Sequence, residues 1–293
     1  MRTHFLKSFF HLFTILPLPL AHAVGAAIGW LFVVIPNKRR DTAYINLELC
    51  FPEMRPATRR RLLRRNMIEL GKFFTEIGAL WTRSDRSIRR LVRRVSGEDI
   101  LKKALSQKKG VILAAPHLGA WEMVGMWNSL HHPMTSMYRE PPMSQMGKLM
   151  RSARERFGAR LVAADKTGIR ALYKALERGD IVGILPDQVP AAGSGSVFAP
   201  FFGINTSTMV LLSRLAIKTG APVVFSYAER LPGGHGYHLH FLAAPDEIHQ
   251  GDIESSAAVV NAMVEHCVRE LPEQYQWIYK RFRNRPGNEK SFY

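Results

Sequence analysis

A chain of 293 residues, 46% hydrophobic and 22% charged, has the ordinary balance of a folded protein and is long enough for one large domain or two small ones. Its 41 Lys and Arg against 24 Asp and Glu give a net charge of +17, a field that attracts polyanions: nucleic acid, anionic lipid or an acidic carrier protein. Its two cysteines, Cys50 and Cys267, have neither CxxC nor metal-ligand spacing, which argues against a disulfide scaffold and predicts packed, reduced thiols in a cytosol-facing protein.

Residues 9–35 read FFHLFTILPLPLAHAVGAAIGWLFVVI, and His11, Thr14 and His22 interrupt the apolar character. Arg2, Lys7 and the triplet Ala21-His22-Ala23 imitate a cleaved signal peptide. A second apolar run, Val24 to Ile35, lies beyond that triplet and needs burial of its own, which favours a retained membrane segment. From Leu12 to Ile35 the run approaches the ~20 residues of a bilayer span. Pro17 and Pro19 break the helix and predict a kinked span or a shallow insertion. Basic residues flank both ends, so charge gives only a weak vote on orientation.

Next, Ala57 to Trp81 carries Leu62, Leu63, Met67, Leu70, Phe73, Phe74, Ile77 and Trp81 at three- and four-residue intervals, the pattern of an amphipathic helix. Arg59, Arg60, Arg61, Arg64 and Arg65 crowd its start, and a second basic segment runs from Arg83 to Arg94. Such a surface is either a solvated face or one that rests on anionic headgroups. With no zinc spacing, RNP-like stretch or helix-turn-helix, nucleic acid is not an expected partner.

From residue 98 helices and strands alternate. Helices are predicted over 98–108, 121–130, 144–157, 167–178, 207–219 and 255–270, and strands over 111–115, 134–138, 160–164, 181–185, 222–227 and 237–243. A Gly/Ala/Ser/Pro-rich loop, PAAGSGSVFAPFFG, separates the strand at 181–185 from the helix at 207. The pattern is that of an α/β fold with a mixed sheet flanked by helices. Residues 1–40 are read as a membrane-anchoring segment and 41–293 as the domain behind it.

The stretch AAPHLGAWE, Ala114 to Glu122, places a histidine and a glutamate where the strand at 111–115 runs out, at the sheet end where open α/β folds bind ligands. On a continuous helix the five-residue spacing of His117 and Glu122 would leave them ~140° apart. With His117 in a loop and the helix starting near Gly119, Glu122 falls in the first turn and reaches back, so that a carboxylate fixes the imidazole tautomer for a general base. The alternative is a satisfied turn histidine beside an ordinary helix acid. No G-x-S-x-G elbow, Walker A, dinucleotide fingerprint or H-E-x-x-H occurs. His238 and His240 share a strand face near His235, but no acidic or thiol partner lies close in sequence, so they are read as hairpin surface and no metal is assigned.

His117 to Glu122 is an H-x-x-x-x-E motif, followed in order by Tyr138-Arg139, Arg154 within ARERFG, LPDQ with Asp187 and Gln188, the loop SVFAPFFG, and PEQYQWIYKRFRNRP from Pro272 to Pro286. Over nearly its whole length the chain thereby resembles the bacterial lipid A late acyltransferases. The resemblance implies a glycerolipid-acyltransferase-like fold with an N-terminal membrane-associated helix at the cytoplasmic face of the bacterial inner membrane. It implies an acyl-carrier-protein thioester as donor, a hydroxyl on the 3-hydroxyacyl chain of a Kdo-bearing lipid A precursor as acceptor, anionic lipids as surroundings and no cofactor. Carried over, His117 is the general base and Glu122 its partner. Arg154 would stabilise the oxyanion or a phosphate and Asp187 orient Arg154 or the acceptor, with Tyr138, Arg139 and Gln188 on the substrate side. Ala120, where relatives often have Asn, and Glu140-Pro141-Pro142 depart from the pattern. An acyltransferase of the same fold acting on another glycolipid or lysophospholipid, and a membrane-docked scaffold protein, remain as alternatives.

Overall fold

A computed structural model describes residues 16–138, 144–190, 195–287 and 289–293. Expectations about residues 1–15, about Arg139 and about the departure at 140–142 lie outside them. Among the described residues four helices come first: α1 (Leu18–Val34), α2 (Lys38–Cys50), α3 (Pro56–Thr82) and α4 (Asp85–Leu91). Strand β1 (Val92–Ser96) and α5 (Glu98–Ser106) lead into the alternating body. The body runs β2 (Val111–Ala114), α6 (Trp121–Ser129), β3 (Met134–Tyr138), α7 (Ser144–Glu155), β4 (Ala159–Ala163), α8 (Lys166–Glu177) and β5 (Ile181–Ile184). The hairpin β6 (Ser196–Phe201) and β7 (Ile204–Met209) follows, then α9 (Leu211–Thr219), β8 (Val223–Arg230), β9 (Tyr237–Ala243) and α10 (Ile253–Glu270).

Seven strands form one sheet in the order β1-β9-β8-β2-β5-β3-β4. Only the β8–β9 pair is antiparallel, as a hairpin requires, so the sheet is mixed as expected. The central strands β2 and β5 are buried at every residue, which explains their unbroken apolar sequences. One sheet face packs Ile112, Val182 and Phe225 against Leu176 of α8, Leu215 of α9 and Val264 of α10. The other packs Leu113, Val224 and Leu239 against Leu101 of α5 and Met123 and Trp127 of α6.

Several local expectations are corrected. Pro17 and Pro19 open a helix, standing at the N-cap and in the first turn of α1, where a missing N–H costs nothing, and the part of the expected span before Leu16 lies outside the described residues. The basic segment from Arg83 folds into α4 and the edge strand β1. The predicted helix at 207–219 starts only at Leu211, because SVFAPFFG and the residues after it pair as β6–β7 across a turn with positive φ at Phe202 and Gly203. Arg59 is buried and bonds Glu48 and the Met54 carbonyl, while Arg60, Arg61, Arg64 and Arg65 are exposed.

Among the described residues no single helix is long and apolar enough to cross a membrane; α1 and α2 pass that test together but are bent by 80°. At 17 residues α1 spans about 25 Å. Its face Leu18, Ala21, His22, Gly25 and Gly29 is buried, and Leu20, Val24, Trp30, Leu31 and Val34 are exposed. The buried face lies on α3 with backbone against backbone: a Cβ at Gly71 would stand 2.0 Å from the Gly25 carbonyl oxygen, and one at Gly29 2.4 Å from that of Met67. Thr75 donates to the Ala21 carbonyl at 2.7 Å, and His22 Nε2 meets Glu76 Oε2 at 3.1 Å.

Glu76 is the hub of a buried polar network. Arg230 grips its carboxylate through Nε at 2.9 Å and Nη2 at 2.5 Å, and the Tyr237 hydroxyl donates to it at 3.0 Å. Burial alone would raise the Glu76 pKa, but Arg230 and His22 hold it down at about 2. A folded value below the ordinary 4.5 stabilises the fold fully above pH 4.5, and that stabilisation disappears as pH falls toward 2. Glu76→Gln leaves the buried Arg230 charge with only Glu69, 3.8 Å away, as counter-ion and is expected to cost about 3 kcal/mol at neutral pH. The variant should also lose the parent's steep acid destabilisation in this window. Chemical denaturation from pH 2 to 7 checks both; a variant as stable as the parent at pH 7 would contradict the assignment.

Candidate active site

The site forms where β2 and β5 end. They are parallel neighbours in the register Ala114↔Ile184, so the residues three positions beyond each strand, His117 and Asp187, also stand opposite. Asp187 Oδ1 accepts from His117 Nδ1 at 2.8 Å and Oδ2 accepts from the His117 backbone N–H at 2.9 Å. The Asp187 side chain is 2% exposed and that of His117 13%, so the carboxylate is sealed and the imidazole edge is not. Burial would raise the Asp187 pKa, but the His117 contacts hold it below the usual carboxylate range. The buried Tyr275 phenol is pushed well up by its burial and by the Asp187 charge beside it.

The loop bearing His117 is held by its backbone. Gly119 N–H donates to the Gln274 carbonyl at 3.0 Å, Ala120 N–H to that of Ala228 at 2.8 Å, and Gln276 N–H to that of His117 at 3.1 Å. Arg230 Nη2 donates to the Gly119 carbonyl at 2.9 Å, which joins the Glu76 network, and through it α1, to the loop. Gly119 has φ +59, and a Cβ there would lie 2.0 Å from the Ala228 carbonyl oxygen, so glycine is required twice over. On the open side, Gln188 Nε2 is 3.2 Å from His117 Nε2 and 3.1 Å from Gln276 Oε1. Trp121, stacked on Phe73 at 4.1 Å between centroids, sets its ring 5.1 Å from the imidazole.

Glu122 lies in the first turn of α6, as expected, but it is not the partner of His117. Its carboxylate takes Arg154 Nε at 3.0 Å and Nη2 at 2.5 Å, a bidentate pair. Asp187 correspondingly orients the imidazole and not Arg154. The physical reason is that α6 begins only at Trp121, which turns Glu122 toward α7, while the strand register delivers Asp187 to His117. Burial would lower the Arg154 pKa, but Glu122 raises it, so the guanidinium stays charged. The Tyr138 ring lies 6.0 Å from that guanidinium, and its hydroxyl donates to the Gly147 carbonyl at 3.0 Å. Ala120, the buried N-cap of α6, offers no side-chain cap.

Glu122 and Arg154 stand in the wall of a cavity of about 600 Å³, the open solvent at its mouth included, whose lining is mostly apolar, with Leu113, Val124, Met126, Met134, Leu161 and Ile184. A charged pair thus meets an apolar slot beside the strand ends. Of the residues expected from the sequence, His117, Glu122, Arg154, Asp187, Gln188 and Tyr138 lie at this end of the sheet, joined by Arg230, Gln274 and Gln276, which were not expected. The last two lie inside the C-terminal motif PEQYQWIYKRFRNRP, and that was the available signal.

The family model for bacterial lipid A biosynthesis acyltransferases matches residues 3–284 of the chain. A lipid A biosynthesis lauroyltransferase of Escherichia coli is 31% identical over 95% of this chain and 90% of its own length. A lipid A biosynthesis palmitoleoyltransferase of the same organism is 32% identical over the same shares. A lipid A biosynthesis myristoyltransferase of E. coli is 28% identical over 85% of this chain and 77% of its own. With this match across nearly the whole chain, the protein is an acyltransferase and belongs to the bacterial lipid A biosynthesis acyltransferase family.

Proposed function

We propose that the protein transfers a fatty acyl chain from an acyl-carrier-protein thioester to a hydroxyl on the 3-hydroxyacyl chain of a Kdo-bearing lipid A precursor. The observation that carries this reading is His117, with Nδ1 engaged by a buried carboxylate and Nε2 on the open side, its ring 5.1 Å from that of Trp121, which lines an apolar cavity with a charged pair in its wall. An N–H donated from Nδ1 to Asp187 leaves the Nε2 lone pair for a proton, and the Asp187 charge stabilises the imidazolium that results.

In the reaction Nε2 accepts the proton of the acceptor hydroxyl, which takes the place of the Gln188 amide. The hydroxyl oxygen attacks the thioester carbonyl, and the charge passes to its oxygen. The N–H groups of Arg154 not engaged by Glu122 stabilise that oxyanion or a substrate phosphate. Collapse breaks the C–S bond, and the departing thiolate takes the proton from His117, without an acyl-enzyme intermediate. Glu122 fixes the guanidinium, and the cavity takes the acyl chain, so cavity depth sets chain length. Tyr138, Arg139 and Gln188 serve the substrate side.

The sheet is on this reading a glycerolipid-acyltransferase-like frame, with residues 1–40 anchoring the domain of residues 41–293 at the cytoplasmic face of the bacterial inner membrane. Support comes from the exposed apolar stripe of α1 and from a groove between α1, α2 and α3 where Arg40, Arg60 and Arg64 outnumber the one carboxylate, Asp41, above an apolar lining that includes Val33, Ile45 and Leu63. Anionic headgroups fit that groove, and the net charge of +17 suits both an acidic carrier and a phosphorylated lipid.

His117→Ala and Asp187→Ala are each expected to lower kcat by about 10²–10⁴ in an assay with acyl-carrier-protein donor and lipid A precursor. Arg154→Ala should lose about 10²–10³, with partial recovery in Arg154→Lys. Near-parental turnover of His117→Ala would refute the base assignment. A Cβ at Gly125, in the cavity wall, meets open space, so Gly125→Met should shift preference toward shorter acyl donors; unchanged selectivity would remove the cavity from the account. Arg60→Gln with Arg64→Gln should weaken sedimentation with anionic vesicles at ~0.1 M salt, and the difference from the parent should vanish near 1 M. Binding by the parent that ignores salt would leave the apolar helix as the sole anchor.

A further inference from the structure

Two histidines set aside as hairpin surface acquire an acidic partner once the strands pair. In the β8–β9 ladder Glu229 stands opposite His238, and Tyr227 opposite His240, all on one sheet face. Glu229 Oε2 lies 3.5 Å from His238 Nδ1 and 3.2 Å from His240 Nε2. Any two ligand atoms of a tetrahedral zinc site, each about 2.1 Å from the metal, are roughly 3.4 Å apart, so two edges of such a site are already near their length. The donor atoms of the three residues all lie within 4.8 Å of one another.

The surroundings hold the rings for this use. Ser96 Oγ is 2.8 Å from His238 Nε2, so an N–H there leaves the Nδ1 lone pair facing Glu229. His240 is stacked on Tyr227 at 4.5 Å between centroids, with 10° between the planes. The residues are partly exposed, which gives an ion a way in and leaves a fourth position for water. His235 lies beyond the strand and takes no part. The opposing feature is Arg94, paired with His238 across β1 and β9, whose charge sits near the imidazole.

We propose that Glu229, His238 and His240 form a binding site for a divalent transition-metal ion, zinc by its donor set, distinct from the acyl-transfer site. Such an ion clamps β8 to β9 at the strand segment that holds the active-site loop. The Ala228 carbonyl accepts the Ala120 N–H, Arg230 holds the Gly119 carbonyl, and Glu229 lies between them.

The test uses the full-length, tag-free protein stripped of metal by chelator and titrated with Zn²⁺ alone by calorimetry, and with Co²⁺ alone by visible absorption. One Zn²⁺ per chain, tetrahedral Co²⁺ absorption and a rise in Tm with Zn²⁺ but not Mg²⁺ are expected. Glu229→Gln and His238→Ala should each weaken Zn²⁺ binding at least 10-fold, and Ser96→Ala, which keeps all three ligands, by about 10-fold. Arg94→Gln should tighten binding, and His235→Ala should leave it unchanged. Metal-free Tm values of the variants separate a folding defect from lost binding, and Ser96→Ala and Arg94→Gln carry the test if a ligand variant is unstable. No Zn²⁺ binding by the parent, or equal binding by Glu229→Gln and His238→Ala, would overturn the proposal.

Discussion

The level ending of β2 and β5 is the constraint on which the site depends. Parallel strands in fixed register cannot slip without turning every side chain to the other face, and both strands are buried on both sides. Their ends therefore hold His117 and Asp187 opposite each other with the rigidity of the sheet centre. Asp187 accepts from both the imidazole and the backbone of His117, which fixes ring and loop together. A buried carboxylate with that many donors stays ionised, and an ionised partner is what a base needs when it takes up a proton.

The second constraint is the Glu76–Arg230 pair. Buried charges are weak evidence for stability but strong evidence for a required geometry, because removing either partner strands the other. Arg230 spends its donors on Glu76 and on the Gly119 carbonyl, so the α1–α3 packing and the His117 loop share one guanidinium. Gly25, Gly29 and Gly71 bring α1 close enough for His22 to reach Glu76. The N-terminal helix is therefore tied to the site through contiguous hydrogen bonds, whatever its outer apolar face rests on.

Much of the fold was legible because the body alternates strictly between short apolar runs and amphipathic helices, each with its own Gly or Pro punctuation. The hairpin β6–β7 was not, since Pro200 and the Gly/Ala/Ser-rich approach disguise its alternation. Nor was β1, whose arginines face outward at the sheet edge. Within the site, the residues stood out and their pairing did not. His117 and Asp187 are 70 positions apart, and only the adjacency of β2 and β5 reveals that they meet. Glu122 lies nearer in sequence and was the natural choice, but the helix start turns it to Arg154. Glu229 escaped notice for the same reason, as an acid brought to His238 and His240 by strand pairing.

On the proposed mechanism Asp187, not Glu122, sets the tautomer of His117. Nitrogen-15 NMR of histidine-labelled protein, with His117 assigned by substitution, reads this directly. Neutral His117 is expected to carry its proton on Nδ1, and Asp187→Asn to disturb this state while Glu122→Gln leaves it intact. A neutral His117 protonated on Nε2, or a tautomer that follows Glu122 and ignores Asp187, would contradict it.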